Sequence, residues 1–229
     1  MADLSAAAPL TSVDLVIASA LVMIAGGVSL SLRLKLGGEL AVASVRTVVQ
    51  LTLIGYLLQW IFDLQSAPAV LAWVGIMIVA AGRAATRRVQ RTFDGSLVAA
   101  VGTLSLTALL TTFTVTAAVI RVDPWFDPQY VIPLCGMVLG NTMTGLSLCL
   151  DSILESFDDG RAEIEVRLLL GATSWQAGLP AVRKGVRRGM VPILNSMTVV
   201  GIVSLPGMMT GQILAGADPL EAVKYQIVV

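Results

Sequence analysis

The residues best placed to do work in this chain lie between Glu155 and Gly189, where the run ESFDDGRAEIEVRLLLGATSWQAGLPAVRKGVRRG interrupts an otherwise apolar sequence. Ile164, Leu168, Gly171–Ala172 and Trp175 fall at i, i+4, i+7/8 and i+11, the spacing of one helix face. Glu163, Arg167 and Gln176 lie off that face. Glycine at 171 allows a close approach or a break. A short exposed helix of this kind suits insertion into the cleft of a soluble partner, with contacts running from Leu168 and Leu169 to Trp175. The alternative is an amphipathic helix lying on the membrane. Asp158, Asp159, Glu163 and Glu165 oppose it, because anionic headgroups would repel them. The run from Arg183 to Arg188 reads as a membrane-proximal anchor.

A second group of polar residues sits inside apolar runs, where polarity is costly. Arg46 and Gln50 are one helical turn apart. Arg46 either snorkels to the cytoplasmic surface, forms a structural ion pair, or serves a gate or substrate. Gly136 and Gly140 form a Gly-x-x-x-Gly pair continued by Thr144, a pattern that lets helix backbones approach. Asn141 and Thr142 beside it either bond between helices or line a pathway. Farther on come Asn195 and the run Ser204-LPGMMTGQ. Pro206-Gly207 should break a helix there, and Gly207 and Gly211 repeat the close-packing spacing. Backbone freed at membrane depth is tolerated only when buried in protein or lining a wet cavity. Residues 204–212, including Met208, Met209 and Gln212, are therefore the best pathway or gate segment. Methionine thioethers suit copper(I) better than iron, and they serve more often as adaptable packing.

Several chemistries are excluded. Gly-Lys does not occur, so there is no P-loop. With no histidine there is no Ser-His-Asp triad and no His-Glu-x-x-His zinc site. Cys135 and Cys149 are 14 positions apart, about 21 Å along a helix, too far to pair or share a metal. The chain is expected to be no enzyme, to bind no cofactor and to hold no assigned metal site. Its energy must come from a partner or an ion gradient.

The elements that position these residues are membrane helices. Of 229 residues, 56% are hydrophobic and 13% charged, against about 25% charged in soluble domains; mean hydropathy is +0.85. Zero net charge argues against nucleic acid as a partner. The first apolar run lacks a basic n-region and is long enough to span, so no cleavable signal peptide is expected. The fold class is all-α, a polytopic integral membrane helix bundle of one domain, 1–229. Six spans are expected, at 13–32, 40–61, 67–83, 97–120, 130–152 and 191–216. A seventh begins near Leu220 and is cut short at Val229. The 1–2, 3–4 and 5–6 links hold nearly all the link Lys and Arg, which places the N-terminus outside and a long charged insert, about 153–190, inside. The link around Trp125 and Phe126 is an external turn at headgroup level.

The stretches Met137-VLGNTMTG, Leu170-GAT and Val203-SLPGMMTGQILAGADPLEAVKYQ resemble the FetB-type permease family, the membrane subunits of ABC transporters assigned to iron export. The resemblance is carried by residues 130–229. It implies seven spans, a permease homodimer in the bacterial inner membrane, and two cytoplasmic ATP-binding subunits that hold ATP and Mg. It also implies that the 5–6 insert is the coupling region, with Glu165 and Gly171 similar to positions in importer coupling loops. The residues after Glu165 are not the importer alanines. A permease for a non-metal solute, a non-transporting scaffold that docks a cytoplasmic protein, and a mechanical ABC subunit are the other readings.

Overall fold

The computed structural model describes residues 37–89 and 91–228, together with 20, 23, 24, 26, 27, 31 and 32. The expected first span, 13–32, and the N-terminal orientation lie outside the continuous described residues. The described residues are helical, with no β-strand among them.

Among the described residues, four helices are long and apolar enough to cross a membrane. They are α1 (Gly37–Leu64), α2 (Ala67–Arg87), α3 (Ser96–Phe113), which continues as a π-helix over Thr114–Ile120, and α4 (Pro128–Asp159). They match the expected second to fifth spans, though α4 runs seven residues past residue 152. Pro68 and Pro128 open α2 and α4, where a missing N–H costs nothing, and the Asp127 carboxylate accepts from the Gln129 N–H at 2.9 Å. Gln65, with φ 42°, turns the chain between α1 and α2.

Fourfold spacing builds the core. Val70, Val74, Ile78, Gly82 and Ala85 of α2 face Ala100, Leu104 and Ala108 of α3, and Val131, Ile132, Cys135 and Leu139 of α4 close the cluster. Only Ile61 of α1 is buried. Between helices in lipid, apolar contact gains little from water exclusion, so close packing and interhelical hydrogen bonds carry the association. Ser147 supplies one such bond, donating from Oγ to the Ala85 carbonyl at 3.1 Å.

Within the expected sixth span the chain is interrupted ahead of Pro206-Gly207, where a helix break is expected. Residues 191–216 are not one helix. α5 (Arg161–Leu169) is followed by α6 (Ser174–Val199), a non-helical break, α7 (Gly207–Leu214) and α8 (Pro219–Val228). The insert, about 153–190, comprises the end of α4, all of α5 and about the first two-thirds of α6. α6 absorbs Pro180 and Pro192 within a continuous helix. α7 and α8 pack on each other.

The close-approach seam also lies elsewhere than expected. A Cβ at Gly140, Gly207 or Gly211 would meet no atom within 4 Å, and at Gly136 it would meet only the Met77 Cε, at 3.4 Å. The tight seam joins α4 to α6. A Cβ on Gly189 would stand 2.6 Å from the Gly145 carbonyl oxygen, and one on Gly185 would stand 2.8 Å from that of Cys149 and collide with Ile153.

Candidate functional site

Two interruptions bound α6, and most of the predicted site residues gather around them. The first is the elbow between α5 and α6. Gly171, at φ 90°, ends α5 in the left-handed conformation. Its N–H donates to the Leu168 carbonyl and the Ala172 N–H to the Arg167 carbonyl, both at 3.0 Å. This is a Schellman closure, which satisfies carbonyls that a helix end would otherwise leave unpaired. Two residues after the glycine, Thr173 opens α6 with a capping box. Its Oγ1 accepts from the Gln176 N–H at 3.2 Å, and the Gln176 Oε1 accepts from the Thr173 N–H at 2.9 Å. Four residues, 170–173, thus turn the chain with few free backbone groups.

The turn corrects the single-face reading. Ile164 is half-buried against the α4–α6 cleft, whereas Leu168 and Trp175 are exposed on either side of the elbow. Leu169 is 86% exposed, Leu170 82% and Trp175 67%, so the elbow presents an uncovered apolar knob. Leu170 and Val166 also belong to it. The Leu168–Leu170 run is the sequence signal for this knob, but helical periodicity assigns Leu170 to no face. Glu165 is held by Arg161 at 2.9 Å, and Glu163 by Arg167 at 2.6 Å. Hydrogen bonding to Glu165 raises the Arg161 pKa above its ordinary value.

Cross-braces tie the elbow's supports together. Glu155 near the end of α4 pairs with Arg188 of α6 at 3.0 Å, and Asp158 pairs with Arg91 of the α2–α3 link at 2.9 Å. These pairs are half-exposed and each contributes at most about 1 kcal/mol.

The second interruption spans Val200 to Pro206. Gly201 has φ 84°. The Val199 carbonyl receives the N–H groups of Ile202, Val203 and Ser204 at 3.0–3.3 Å. The carbonyls of Val200, Gly201, Ile202 and Val203 receive no hydrogen bond from the described residues. Ile202 and Val203 are 89% and 79% exposed. Pro206 caps α7, where Met208, Met209 and Gln212 are half-buried, and the Gln212 Oε1 is buried without a partner among the described residues.

The remaining pathway residues do not converge on this break. Arg46 and Gln50 are exposed on α1, and Arg46 has no ion-pair partner among the described residues. Asn141 is exposed and Thr142 half-buried on α4; Asn195 is exposed on α6. No group of three His, Cys, Asp or Glu side chains able to hold a metal occurs among the described residues.

Span-length apolar helices and the family shown below define an integral membrane protein, here one of the bacterial inner membrane. The chain belongs to the family described as Uncharacterised protein family UPF0014, whose model matches residues 12–229. It is 40% identical over 199 residues to a UPF0014 membrane protein of Synechocystis, covering 86% of this chain and 76% of that protein. To the protein ALUMINUM SENSITIVE 3 of Arabidopsis thaliana it is 36% identical, covering 91% of this chain and 75% of that one. A relative in Escherichia coli, named "Probable iron export permease protein FetB", is 33% identical, covering 96% of this chain and 83% of its own. No solved structure matches.

Proposed function

We propose that this chain is the permease subunit of an ATP-driven exporter, with iron or a related metal cation as cargo and a separate ATP-binding subunit docked on the α5–α6 elbow. The observation that carries the transport reading is the break at Val200–Pro206. It begins about 12 residues beyond Arg188, about 18 Å along α6, inside a hydrocarbon core about 30 Å thick. Its unbonded carbonyls are tolerable there only against protein or water. Unwound backbone of this kind coordinates cations in transporters, and carbonyl oxygen is a hard donor suited to hard cations. The name of the Escherichia coli relative supports the cargo.

The elbow supports the partner. The chain has no nucleotide-binding motif, and an uncovered Leu-Leu-Trp knob on a stiff turn fits a cleft in a soluble protein. Movement of docked subunits on ATP binding passes through α6 to the break. Two copies of the permease would supply two elbows, one for each ATP-binding subunit.

The test is reconstitution of the permease with the ATPase encoded beside it, reading ATP hydrolysis and iron accumulation in inside-out vesicles. The double variant Leu169→Glu, Leu170→Glu is expected to remove permease-stimulated hydrolysis and iron movement while inserting normally. Unchanged hydrolysis in that variant overturns the docking site. Hydrolysis without iron movement in the unmodified complex overturns the cargo, and neither signal in an assembled complex favours the scaffold.

A further inference from the structure

The first half of α6 ends in four basic residues, Arg183, Lys184, Arg187 and Arg188. They fall at i, i+1, i+4 and i+5, so they share one side of the helix. With Val191 they line an open concavity of about 470 Å³. Arg188 is matched by Glu155. Arg183, Lys184 and Arg187 have no carboxylate at ion-pair distance among the described residues. Lys184 also borders a neighbouring cleft that includes Asp159 and Glu163, yet it pairs with neither. Three uncompensated cations on adjacent turns repel one another, and an anion between them would relieve that repulsion.

The next three turns of α6 identify the anion. From Gly189 to Val199 there is no charged residue, and Met190, Val191, Ile193, Leu194 and Met197 are all exposed. Arg187, Val191 and Leu194 form one i, i+4, i+7 row. The surface therefore runs from positive to apolar within two turns, which matches a negative headgroup joined to a hydrocarbon chain. Arg187 lies about 12 residues from Trp175, about 18 Å, so the patch is well separated from the elbow. The tie between Arg188 and Glu155 sets it at the cytoplasmic end of the membrane-spanning α4.

We propose that Arg183, Lys184 and Arg187 form a binding site for the phosphate headgroup of an anionic phospholipid of the cytoplasmic leaflet, whose acyl chain lies along Val191, Leu194 and Met197. Charge-assisted bonds to phosphate hold the head, and juxtamembrane basic clusters draw anionic lipid in this way. A lipid so bound is fixed beside the α4–α6 seam and steadies the helix that joins the elbow to the break. The site is a property of the permease alone and depends on neither cargo nor ATPase.

The experiment is native mass spectrometry of the full chain in mild detergent, with phosphatidylglycerol or phosphatidylcholine of the same acyl chains. Phosphatidylglycerol adducts are expected to predominate on the unmodified protein. They are expected to fall at least about tenfold in the triple variant Arg183→Gln, Lys184→Gln, Arg187→Gln. If the triple variant does not fold, Arg187→Gln alone should reduce retention partially, and Arg183→Lys with Arg187→Lys should keep it. Equal retention of the two lipids, or undiminished phosphatidylglycerol on a folded charge-removing variant, overturns the proposal. Inorganic phosphate displacing the lipid regardless of chain length would mean a simple anion site and also overturns it. Loss of ATPase capture without loss of lipid assigns the patch to an acidic protein surface instead, which again overturns it.

Discussion

The two ends of α6 are built in opposite ways. At the elbow the four residues Leu170–Thr173 use a Schellman closure and a capping box to pair the backbone of both helices. At the break, seven residues leave four carbonyls without a partner among the described residues and two β-branched side chains uncovered. In water a poorly paired turn is cheap, because water bonds to what the chain does not. In lipid it is costly. On the proposed topology, the stiff joint stands where looseness would be tolerated, and the open one stands where it is penalised. That inversion makes sense if the elbow must carry force and the break must bind or pass something.

Disrupting the helix they share should give the largest effect. Gly185→Leu drives a side chain into Ile153 and the Cys149 carbonyl, and the backbone carbonyl has no room to give. A loss of about 3 kcal/mol or more is expected for overpacking of this kind, read as a lowered Tm in detergent. Because α6 then leaves α4, functions assigned to both ends should fail together. A variant that lost only one would show that the ends act independently.

Strain placed at each end separately sharpens the contrast. Gly171 and Gly201 both have positive φ, and neither has an atom near its absent Cβ. Valine at either position should therefore cost a similar amount, about 1–2 kcal/mol. The functional consequences should differ. Gly171→Val is expected to lower ATPase stimulation, and Gly201→Val to lower cargo movement while hydrolysis persists. Identical profiles would remove the distinction between the joints.

The smallest change tests the stiffness of the elbow. Thr173→Ala deletes the Oγ1 that accepts from Gln176, at a cost of about 1 kcal/mol. Hydrogen exchange should quicken at the start of α6 and stay unchanged in α4. Spread of the effect into α4 would show that the elbow is not a local unit.

Much of the bundle is legible in the sequence. Hydropathy places α1 to α4 to within a few residues at most ends, because twenty apolar residues have few other uses. It fails at α6, where charge from Arg183 to Arg188 looks like a link and hides a helix continuous from Ser174. Pro180 and Pro192 both lie inside it, although proline usually ends a helix. The packing glycines are misassigned for a related reason. Gly-x-x-x-Gly marks backbone that can be approached but does not say by what, and Gly185 and Gly189 acquire their role only once α4 is known to lie against them. Pro206 is readable because its effect is local. Gly171 is readable as a bend, whereas its Schellman closure with Ala172 depends on φ, which residue type alone does not give.

The length of α4 has a mechanical consequence. Beyond Pro133 and as far as Asp159 it is free of proline, a rod of about 40 Å, and its C-terminal end is tied to Arg91 and Arg188. A rod of that length multiplies small rotations: a tilt of about 5° about its N-terminal end sweeps the C-terminal tip through about 3.5 Å. That sweep is sideways, and at Gly145, about 17 Å along the rod, it comes to about 1.5 Å, against a stretch of α6 where Gly189 presents no side chain to catch. The glycine seam would then act as a smooth bearing, and the ion pairs at the tip as the stops that limit its travel.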